Sequence, residues 1–439
     1  MPPDAVLTGY KNLVEQDIIF KRHNKLYRVP IYHSKQLGRT YTGELPSSYA
    51  GQFGNELKTW LQVFNRYGDM TQGRLHALMK NIGVDISTGT ISNILLSNTT
   101  SMEQEANDIL RSGLTHVDYT QMDGTISMES GETKVTQIIC TPLYSVYKTM
   151  NNKSRASVIG ALQGKLPSDI PLLYDAIAID LLSVSKVPKK DQRLLGELLE
   201  LDQIYTLADF EERLSEKAPH LLKKESHAKV LAILALNYYQ GQTDFPIPKL
   251  LLTDAGHEYS MIVLFQILCW IHEERHYKKM TPILKVHQEQ LELIRCQIWE
   301  YYKKLLNFKE LNLQQQKQER ENLEQEFDEI FSQQTSYKDL NKRLKQTFSR
   351  KEKLLQVLDF PQVPLHNNTA ELAVRRKARK RDICLHTMSS IGTRAQDAFM
   401  TVVETAAKLG VNVFDYLFDR LTNEHNMISL ADLIAERAK

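Results

Sequence analysis

The stretch PKLLLTDAGHEYS, from Pro248 to Ser260, is the part of the sequence that decides the fold. Its leucines, Leu250 to Leu252, have the apolar character of a fully buried strand. The strand stops at Asp254, and the turn-forming pair Ala255-Gly256 follows directly. A carboxylate at the carboxyl end of a buried strand points into the crevice where open α/β sheets hold their ligands. The stretch therefore predicts an α/β sheet with an acidic site at its edge.

Length and composition place the chain among ordinary globular proteins. A chain of 439 residues is too long to form one compact core, so two to four structural units are expected. The longest apolar run, Met261 to Ile271, is too short to span a bilayer, and the N-terminus lacks a secretory signal. Four cysteines without a CxxC pair indicate neither a disulfide framework nor a cysteine zinc site. We therefore expect a cytoplasmic protein.

The net charge of +2 conceals two strongly basic segments. ELAVRRKARKR, from Glu371 to Arg381, holds six basic residues in eleven, and Lys338 to Lys353 holds seven against two acidic ones. Such clusters favour a polyanionic partner. A solvated helical face would explain either cluster equally well when it is taken alone.

The first hundred residues suggest two small units. The alternation in DIIFKRHNKLYRVPIY predicts a β-rich module over residues 1–48. Residues 49–105 contain two helical patterns that break at Gly83, the layout of a helix-turn-helix. Its second helix, Thr88 to Leu96, would present Thr90 and Asn93 to a DNA groove. A purely structural three-helix cluster is the alternative interpretation.

Residues 106–384 have the element order of a ribonuclease-H-like core. GLTHVDYTQ, TKVTQIICTP and LYSVYKTM read as three strands, and a helix, a helical insertion at 165–245, the leucine strand and another helix follow. In such a core the first strand lies beside the fourth, so Asp118 would neighbour Asp254. A second insertion at about 283–358 predicts a hairpin or coiled-coil arm, and residues 385–439 predict closing helices.

Two carboxylates held this close repel each other unless a cation lies between them. Ligands with only oxygen donors suit Mg²⁺ or Mn²⁺. Glu371 offers a third carboxylate, and its helix continues directly into the basic cluster. Two such ions would activate a hydroxyl for attack on a phosphodiester. Any one of these acids alone is better explained as a turn or cap residue, whereas the three in this order favour a metal site.

These residues lie within a set of motifs that resembles one family. The motifs are HVDYT around Asp118, LLLTDAG around Asp254, CWIHEERHYKKMTP from Cys269, PLHNNTAEL around Glu371, GTISNILLSN upstream and ETAAKLGVNVFDYL downstream. Together they resemble the transposases of the insertion-sequence-sixty-six family, which carry an Asp-Asp-Glu triad on a ribonuclease-H-like fold. The resemblance implies that Asp118, Asp254 and Glu371 are catalytic metal ligands. It further implies that Asn367, Asn368 and Arg375 shape the surroundings of Glu371.

The same resemblance implies double-stranded DNA as the partner, at transposon terminal inverted repeats and in the target. The implied function is strand cleavage and strand transfer by a bacterial, nucleoid-associated homodimer or larger oligomer, with the 283–358 arm as interface or DNA clamp. The predicted DNA contacts are basic or polar side chains of three segments: Thr90, Asn93, Arg275, His276, Lys278, Arg375, Arg376, Lys377, Arg379, Lys380 and Arg381.

The chain departs from the family pattern in places where relatives often carry further acids. Tyr119 follows the first predicted aspartate and Ala255 the second, and His366 stands where many members have aspartate. An inactive or domesticated derivative that only binds DNA is therefore the main alternative. A structure-specific nuclease with the same metal site is another.

Two further motifs each match another functional pattern only in part. HEERH, His272 to His276, matches the H-E-x-x-H pattern of zinc hydrolases. It lacks a third ligand at a recognisable spacing, and Arg275 would place positive charge near the metal. GALQGKL lacks the spacing and the Ser/Thr of a phosphate-binding loop, so no nucleotide cofactor is expected.

Overall fold

The computed structural model describes the whole chain except residues 1–3, 7, 9, 47, 48 and 224. Strands and helices are interspersed between residues 120 and 268, and the regular structure of residues 55–116 and 270–437 is helical. The strands of this described part are β1 (Ile31–Ser34), β2 (Arg39–Thr42), β3 (Thr120–Glu129), β4 (Glu132–Cys140), β5 (Ser145–Met150), β6 (Pro171–Tyr174), β7 (Gln203–Thr206), β8 (Leu250–Thr253) and β9 (Phe265–Leu268).

The α-helices of the described part vary in length from 4 to 26 residues. They are α1 (Asn55–Gln62), α2 (Gln72–Ile82), α3 (Thr88–Leu96), α4 (Thr99–His116), α5 (Arg155–Leu162), α6 (Ala176–Val184), α7 (Lys189–Leu198), α8 (Leu207–Lys217), α9 (Pro219–Leu222), α10 (Glu225–Gly241), α11 (Trp270–Lys278), α12 (Lys285–Glu310), α13 (Leu313–Phe331), α14 (Lys338–Phe348), α15 (Lys351–Leu354), α16 (Asn368–Cys384), α17 (Ser390–Lys408), α18 (Val413–Leu421) and α19 (Leu430–Arg437).

A mixed five-stranded sheet in the order β5-β4-β3-β8-β9 forms the centre of the chain. β3, β4 and β5 are antiparallel neighbours, and β8 and β9 join on the other side of β3 as parallel strands. The α/β class predicted from the sequence is confirmed. So is the predicted adjacency of the first and fourth strands of the core.

The first core strand begins later than the sequence pattern suggested. GLTHVDYTQ was predicted as a strand, but its first residues finish α4 and β3 begins only at Thr120. The residues up to His116 remain helical because Ile109, Leu110 and Leu114 form one buried stripe on α4. Gly113 also lies against the Tyr144 ring, so closely that an added Cβ would come within 2.4 Å of it. The second and third strands and the helix after them lie where they were predicted.

The N-terminal residues form less sheet than predicted. Within the described part of residues 1–48, the regular structure is the exposed β1–β2 hairpin, and residues 17–30 adopt no strand. Phe20 instead packs edge-on against Trp60 and Phe64, with ring centroids 6.3 and 5.9 Å away. The segment is thus held by aromatic contacts with the next unit.

The two predicted helices around Gly83 are present as α2 and α3. Gly83 takes a left-handed conformation with φ of 84° and ends α2. Ser87 caps α3 through its hydroxyl, which accepts a hydrogen bond from the Thr90 N–H at 3.1 Å. A small separate core, which includes Leu75 and Ile91, holds the two helices together.

The predicted helical arm forms a second core beside the sheet. Helices α12, α13 and α14 pack with α11 around Trp270, whose indole N–H donates to the Leu354 carbonyl at 3.0 Å. Among the described helices, none combines the length and apolarity that a bilayer span requires.

Helix α17 covers the edge strand β5 in a way that the sequence did not reveal. Asp397, Thr401 and Thr405, spaced four residues apart on one helical face, accept the N–H groups of Thr149, Tyr147 and Ser145 at 2.6, 3.1 and 3.2 Å. Alternate N–H groups of an edge strand are otherwise unpaired and can recruit another chain. These side chains therefore take the place of a sixth strand.

Replacing Thr401 by valine should lower the free energy of unfolding by about 1–3 kcal/mol, because the buried Tyr147 N–H loses its acceptor. Denaturant unfolding followed by circular dichroism measures the change. Thr115→Val is the matched control, because the exposed Thr115 hydroxyl bonds only to its own helix. Equal stabilities of the two variants would contradict the assigned role of Thr401.

Candidate active site

Two aspartates stand opposite each other where β3 and β8 run side by side. The parallel register pairs Gln121 with Leu252. Continuing this register by two residues places Asp123 of β3 opposite Asp254, which directly follows β8. Neighbouring strands lie about 4.8 Å apart. Burial raises the pKa of Asp123, and the negative charge of Asp254 raises it further, against the opposing hydrogen bond from the Gly124 N–H. The two carboxylates therefore repel each other within one partly buried site.

Asp118 does not take part in this arrangement. It precedes β3, between α4 and the strand, and is exposed to solvent, so the prediction that it sits within the first strand is wrong. The hairpin turn Ser130-Gly131 could have corrected it, because an antiparallel partner of β4 must run back from Glu129 through Asp123. Tyr119, the supposed replacement of an acid, packs instead beside β8 and β9.

Asp254 ends its strand for a reason that the geometry makes plain. Its carboxylate oxygen Oδ1 accepts the Gly256 N–H at 3.0 Å, which closes a tight turn directly after β8. Its side chain remains 29% exposed. The other oxygen, Oδ2, lies 4.0 Å from the Lys153 ammonium.

Lys153 was missed by the sequence analysis, because nothing in the polar turn NNKSR marks it. Its ammonium lies 2.9 Å from Glu258 Oε1, and the Glu258 side chain is almost completely buried. Burial lowers the pKa of Lys153, but the hydrogen bond with Glu258 and the charge of Asp254 outweigh it and raise the pKa above its ordinary value. A fixed positive charge thus borders the paired aspartates.

Glu371 lies in the first turn of α16, on a helix that is tied to β3. The Asn367 amide donates to the Met122 carbonyl at 2.9 Å, directly before Asp123. The Ala370 N–H reaches Gln121 Oε1 at 3.4 Å. These contacts bring the start of α16 over the face of the sheet that carries Asp123.

The Glu371 carboxylate is divided between two environments. Its Oε2 accepts a hydrogen bond from Arg275 Nη2 at 2.9 Å. Its Oε1 is buried without a hydrogen-bond donor, and His272 Nε2 is 3.7 Å away. Within the residues that the structure describes, no three His, Cys, Asp or Glu side chains converge closely enough to hold a metal ion. Glu371 would have to turn toward Asp123 and Asp254 to join a common ligand set.

Half of the basic cluster on α16 points into the protein. Lys377 and Lys380 are only 2% and 1% exposed. Lys377 binds Asp397 at 2.8 Å, and Arg376 bridges Asp69 and Glu404 at 2.6 Å each. Burial lowers the pKa of Lys380 to about 8. Internal carboxylates and carbonyls engage Arg376, Lys377 and Lys380, which argues against the prediction that these three residues contact DNA.

The remaining predicted DNA contacts lie closer to solvent. Arg381 donates to the Ile126 carbonyl at 2.7 Å, and Thr90 is half-buried on α3. The exposed members of the predicted set are Asn93, His276, Lys278, Arg375 and Arg379.

The HEERH segment has a structural role. Glu273, which would be the base of a zinc hydrolase, is 3% exposed and receives Arg350 at 3.0 Å and Thr347 at 2.5 Å, with Arg343 beside them. Although burial raises the pKa of Glu273, the arginine charges bring it below its ordinary value. A carboxylate held in this way fixes α11 to α14 and is a poor base.

A cavity of about 460 Å³ lies elsewhere, lined by β5, α4 and α17. Lys148, Arg394 and Asp397 contribute to its wall, and Asp123, Asp254 and Glu371 do not. The paired aspartates therefore lie outside this cavity.

Comparison with known proteins finds similarity to one family over part of the chain. Residues 220–395 match the family described as Transposase IS66 family, a span that contains Asp254 and Glu371. An uncharacterized protein, y4jO of Sinorhizobium fredii, is 28% identical over 339 residues, which is 75% of this chain and 100% of that protein. No solved structure matches the chain. The match over residues 220–395 confirms the resemblance to this family that the motifs predicted.

Proposed function

We propose that the protein is a transposase of the Asp-Asp-Glu type, which cuts DNA at transposon ends and joins the freed 3′ end to target DNA. The observation that carries the proposal is the juxtaposition of Asp123 on β3 with Asp254 directly after the neighbouring parallel strand β8. Glu371 lies on α16, a helix that is hydrogen-bonded to β3. The strand order β5-β4-β3-β8-β9 supports a ribonuclease-H-like core. Asp123 replaces Asp118 as the first member of the triad.

The residues fit divalent cations such as Mg²⁺ or Mn²⁺. Their donors are carboxylate oxygens, the ligands that these hard ions prefer. Glu371 Oε1 is buried without a donor, which leaves it available to a cation. Bound cations would activate the attacking hydroxyl and stabilise the leaving oxygen of an in-line displacement. Asp123 and Asp254 would hold them, and the Gly256 N–H keeps the Asp254 carboxylate in orientation.

Two positively charged side chains border the site and would neutralise the charge of a DNA phosphate. Lys153 is 41% exposed and lies beside Asp254, and Arg275 is 41% exposed and lies beside Glu371. Each can therefore approach a DNA phosphate from solvent without leaving its carboxylate. Positively charged groups placed around the transferring phosphate stabilise the charge that develops in the transition state.

The exposed face of α16 extends this charge away from the site. Arg375 and Arg379 lie one and two turns beyond Glu371 and are both exposed. This spacing suits successive phosphates of a DNA backbone that leaves the active site. Asn93 on α3 is a second exposed contact, in a helix whose preceding turn is fixed by the Ser87 cap.

Asp123→Asn should abolish Mg²⁺-dependent strand cleavage while DNA binding survives. Loss of one metal-holding carboxylate removes several kcal/mol of transition-state stabilisation, equivalent to a rate loss of about a thousandfold or more. Cleavage of labelled transposon-end DNA measures the rate, and a gel-shift assay measures binding.

Asp118→Asn is the matched control, because Asp118 is exposed and lies outside the site. It should cleave as fast as the unaltered protein. If Asp118→Asn were inactive and Asp123→Asn active, the assignment of the triad would be wrong. If the unaltered protein bound ends and never cut them, a DNA-binding derivative would be the better interpretation.

Asp123→Asn should also stabilise the protein in the absence of divalent ions at neutral pH. The folded-state pKa of Asp123 is raised, so its contribution to stability is present at low pH and is lost as the pH rises through that pKa. Asparagine does not ionise, so the variant does not lose this stability as the pH rises. The melting temperature of the variant should therefore exceed that of the unaltered protein at pH 7 and approach it in acid. A difference independent of pH would show that Asp123 is not destabilised by its surroundings.

The double variant Arg375→Ala/Arg379→Ala should weaken DNA binding and flatten its salt dependence. Two lost phosphate contacts reduce the slope of log affinity against log salt concentration by about 2. Fluorescence anisotropy with a short duplex over a range of salt concentrations measures it. Lys189→Ala/Lys190→Ala on α7 is the control, because it removes the same charge from an exposed helix outside the proposed path. Equal slopes for the two double variants would exclude the α16 face.

A further inference from the structure

The cavity beside β5 lies between two parts of the chain. Its volume of about 460 Å³ is that of a typical small-molecule site. One side is formed by β5, α4 and α17, and another by residues 165–168 and by α8, which belong to the helical insertion at 165–245. A molecule bound in the cavity would therefore contact both the sheet core and the insertion.

Lys148 of β5 brings a partly buried ammonium to the cavity wall. The ammonium donates to Asn107 Oδ1 at 2.9 Å and to the Gly164 carbonyl at 3.1 Å, and both acceptors are neutral. It forms no ion pair with any residue that the structure describes. Burial lowers the pKa of Lys148, although the more distant charges of Asp397 and Glu103 oppose this change. A positive charge that is withdrawn from water without a counter-ion is costly, so the cavity favours an anion.

The carboxylates of the cavity wall are already engaged or are disfavoured. Four of the described carboxylates line the cavity, and other side chains bind three of them: Glu103 is bound by Arg394, Glu129 by Thr393 and Asp397 by Lys377. Burial raises the pKa of the fourth, Glu211, and so disfavours its charge. Lys165 is exposed at the cavity and has no ion-pair partner in the described part of the chain. The charges left for a ligand are therefore the two ammoniums of Lys148 and Lys165.

Much of the remaining wall is apolar. Its apolar side chains come from α4, β5, the insertion and α17: Ala106, Met150, Leu166, Leu207 and Ala398. An inorganic anion would leave this surface in contact with water. An organic anion with an apolar body would cover it and would gain the free energy of apolar burial.

We propose that this cavity binds a small phosphate monoester, with the phosphate beside Lys148 and Lys165 and an apolar body against α8. Two ammoniums match the two negative charges that a phosphate monoester carries near neutral pH. The phosphate supplies the counter-ion that Lys148 lacks. Asp123, Asp254 and Glu371 lie outside the cavity wall, so the inference does not rest on the proposed function.

Isothermal titration calorimetry of the full chain tests the site with naphthyl phosphate, naphthol and inorganic phosphate. Naphthyl phosphate should bind with a Kd below about 1 mM, as expected for a ligand of its size. Naphthol lacks the anion and inorganic phosphate lacks the apolar body, so each should bind about tenfold more weakly or worse. No binding of naphthyl phosphate, or equal binding of either fragment, would overturn the assigned ligand class.

Lys148→Met should weaken the binding of naphthyl phosphate by about tenfold or more, because the charged hydrogen-bond donor is lost. Lys408→Met is the matched control. Lys408 is also partly buried and donates to two carbonyls, those of Thr141 and Tyr144 at 2.6 and 2.9 Å, but it lies outside the cavity. Equal affinities of these two variants would contradict the proposal. Ala208→Trp fills the cavity from an exposed position and should also block binding, which tests the site without removing Lys148.

The basic face of α16 is the other place where a phosphate probe could bind. The double variant Arg375→Ala/Arg379→Ala should bind naphthyl phosphate as tightly as the unaltered protein, because these arginines lie outside the cavity. Loss of binding in this variant would place the probe on α16 and overturn the proposal. Circular dichroism of each variant verifies that it is folded.

Discussion

The pairing of β3 with β8 is the contact on which the candidate site depends. These strands are separated by more than a hundred residues, yet their register alone decides which carboxylate faces Asp254. A shift by one residue would turn Asp123 to the other face of the sheet. The register is fixed by the apolar residues of β8, which are completely buried, and by Asn367, which joins α16 to the Met122 carbonyl. The relative positions of β3, β8 and α16 are thus closely fixed, although these segments are distant in sequence.

The carboxylates of the candidate site lower the stability of the folded protein. Burial and a neighbouring negative charge both disfavour ionised Asp123, and Glu371 keeps one oxygen without a donor. Elsewhere comparable groups are satisfied: Asp397 receives Lys377 and the Thr149 N–H, and Glu273 receives two arginines. Half-buried carboxylates left under-paired among well-paired ones support the proposal that these residues bind cations.

The sequence predicted the sheet better than the site. The leucine strand, its adjacency to the first strand and the helices around Gly83 follow from local patterns, and the structure contains them. The first aspartate was misplaced because HVDY has β-forming residues, while the true strand, TQMDGTISME, alternates too weakly to be recognised without its hairpin partner. Lys153 and the α17 acceptors could not be found at all, because they act through contacts between distant segments.

The basic cluster ELAVRRKARKR is where the sequence pattern and the structure differ most. Six basic residues in ELAVRRKARKR suggest a surface, yet the helix alternates between solvent and interior, and three of the six face inward. Arg376 meets Asp69, a residue with a left-handed backbone at φ 58°, and Lys380 donates to the nearby Asn65 carbonyl. Buried ion pairs of this kind are costly to break, because one charge is left unpaired. The same helix therefore presents Glu371 at its start and fixes the α1–α3 unit further along, so the unit proposed to bind DNA is joined to the site by ion pairs rather than by a flexible linker.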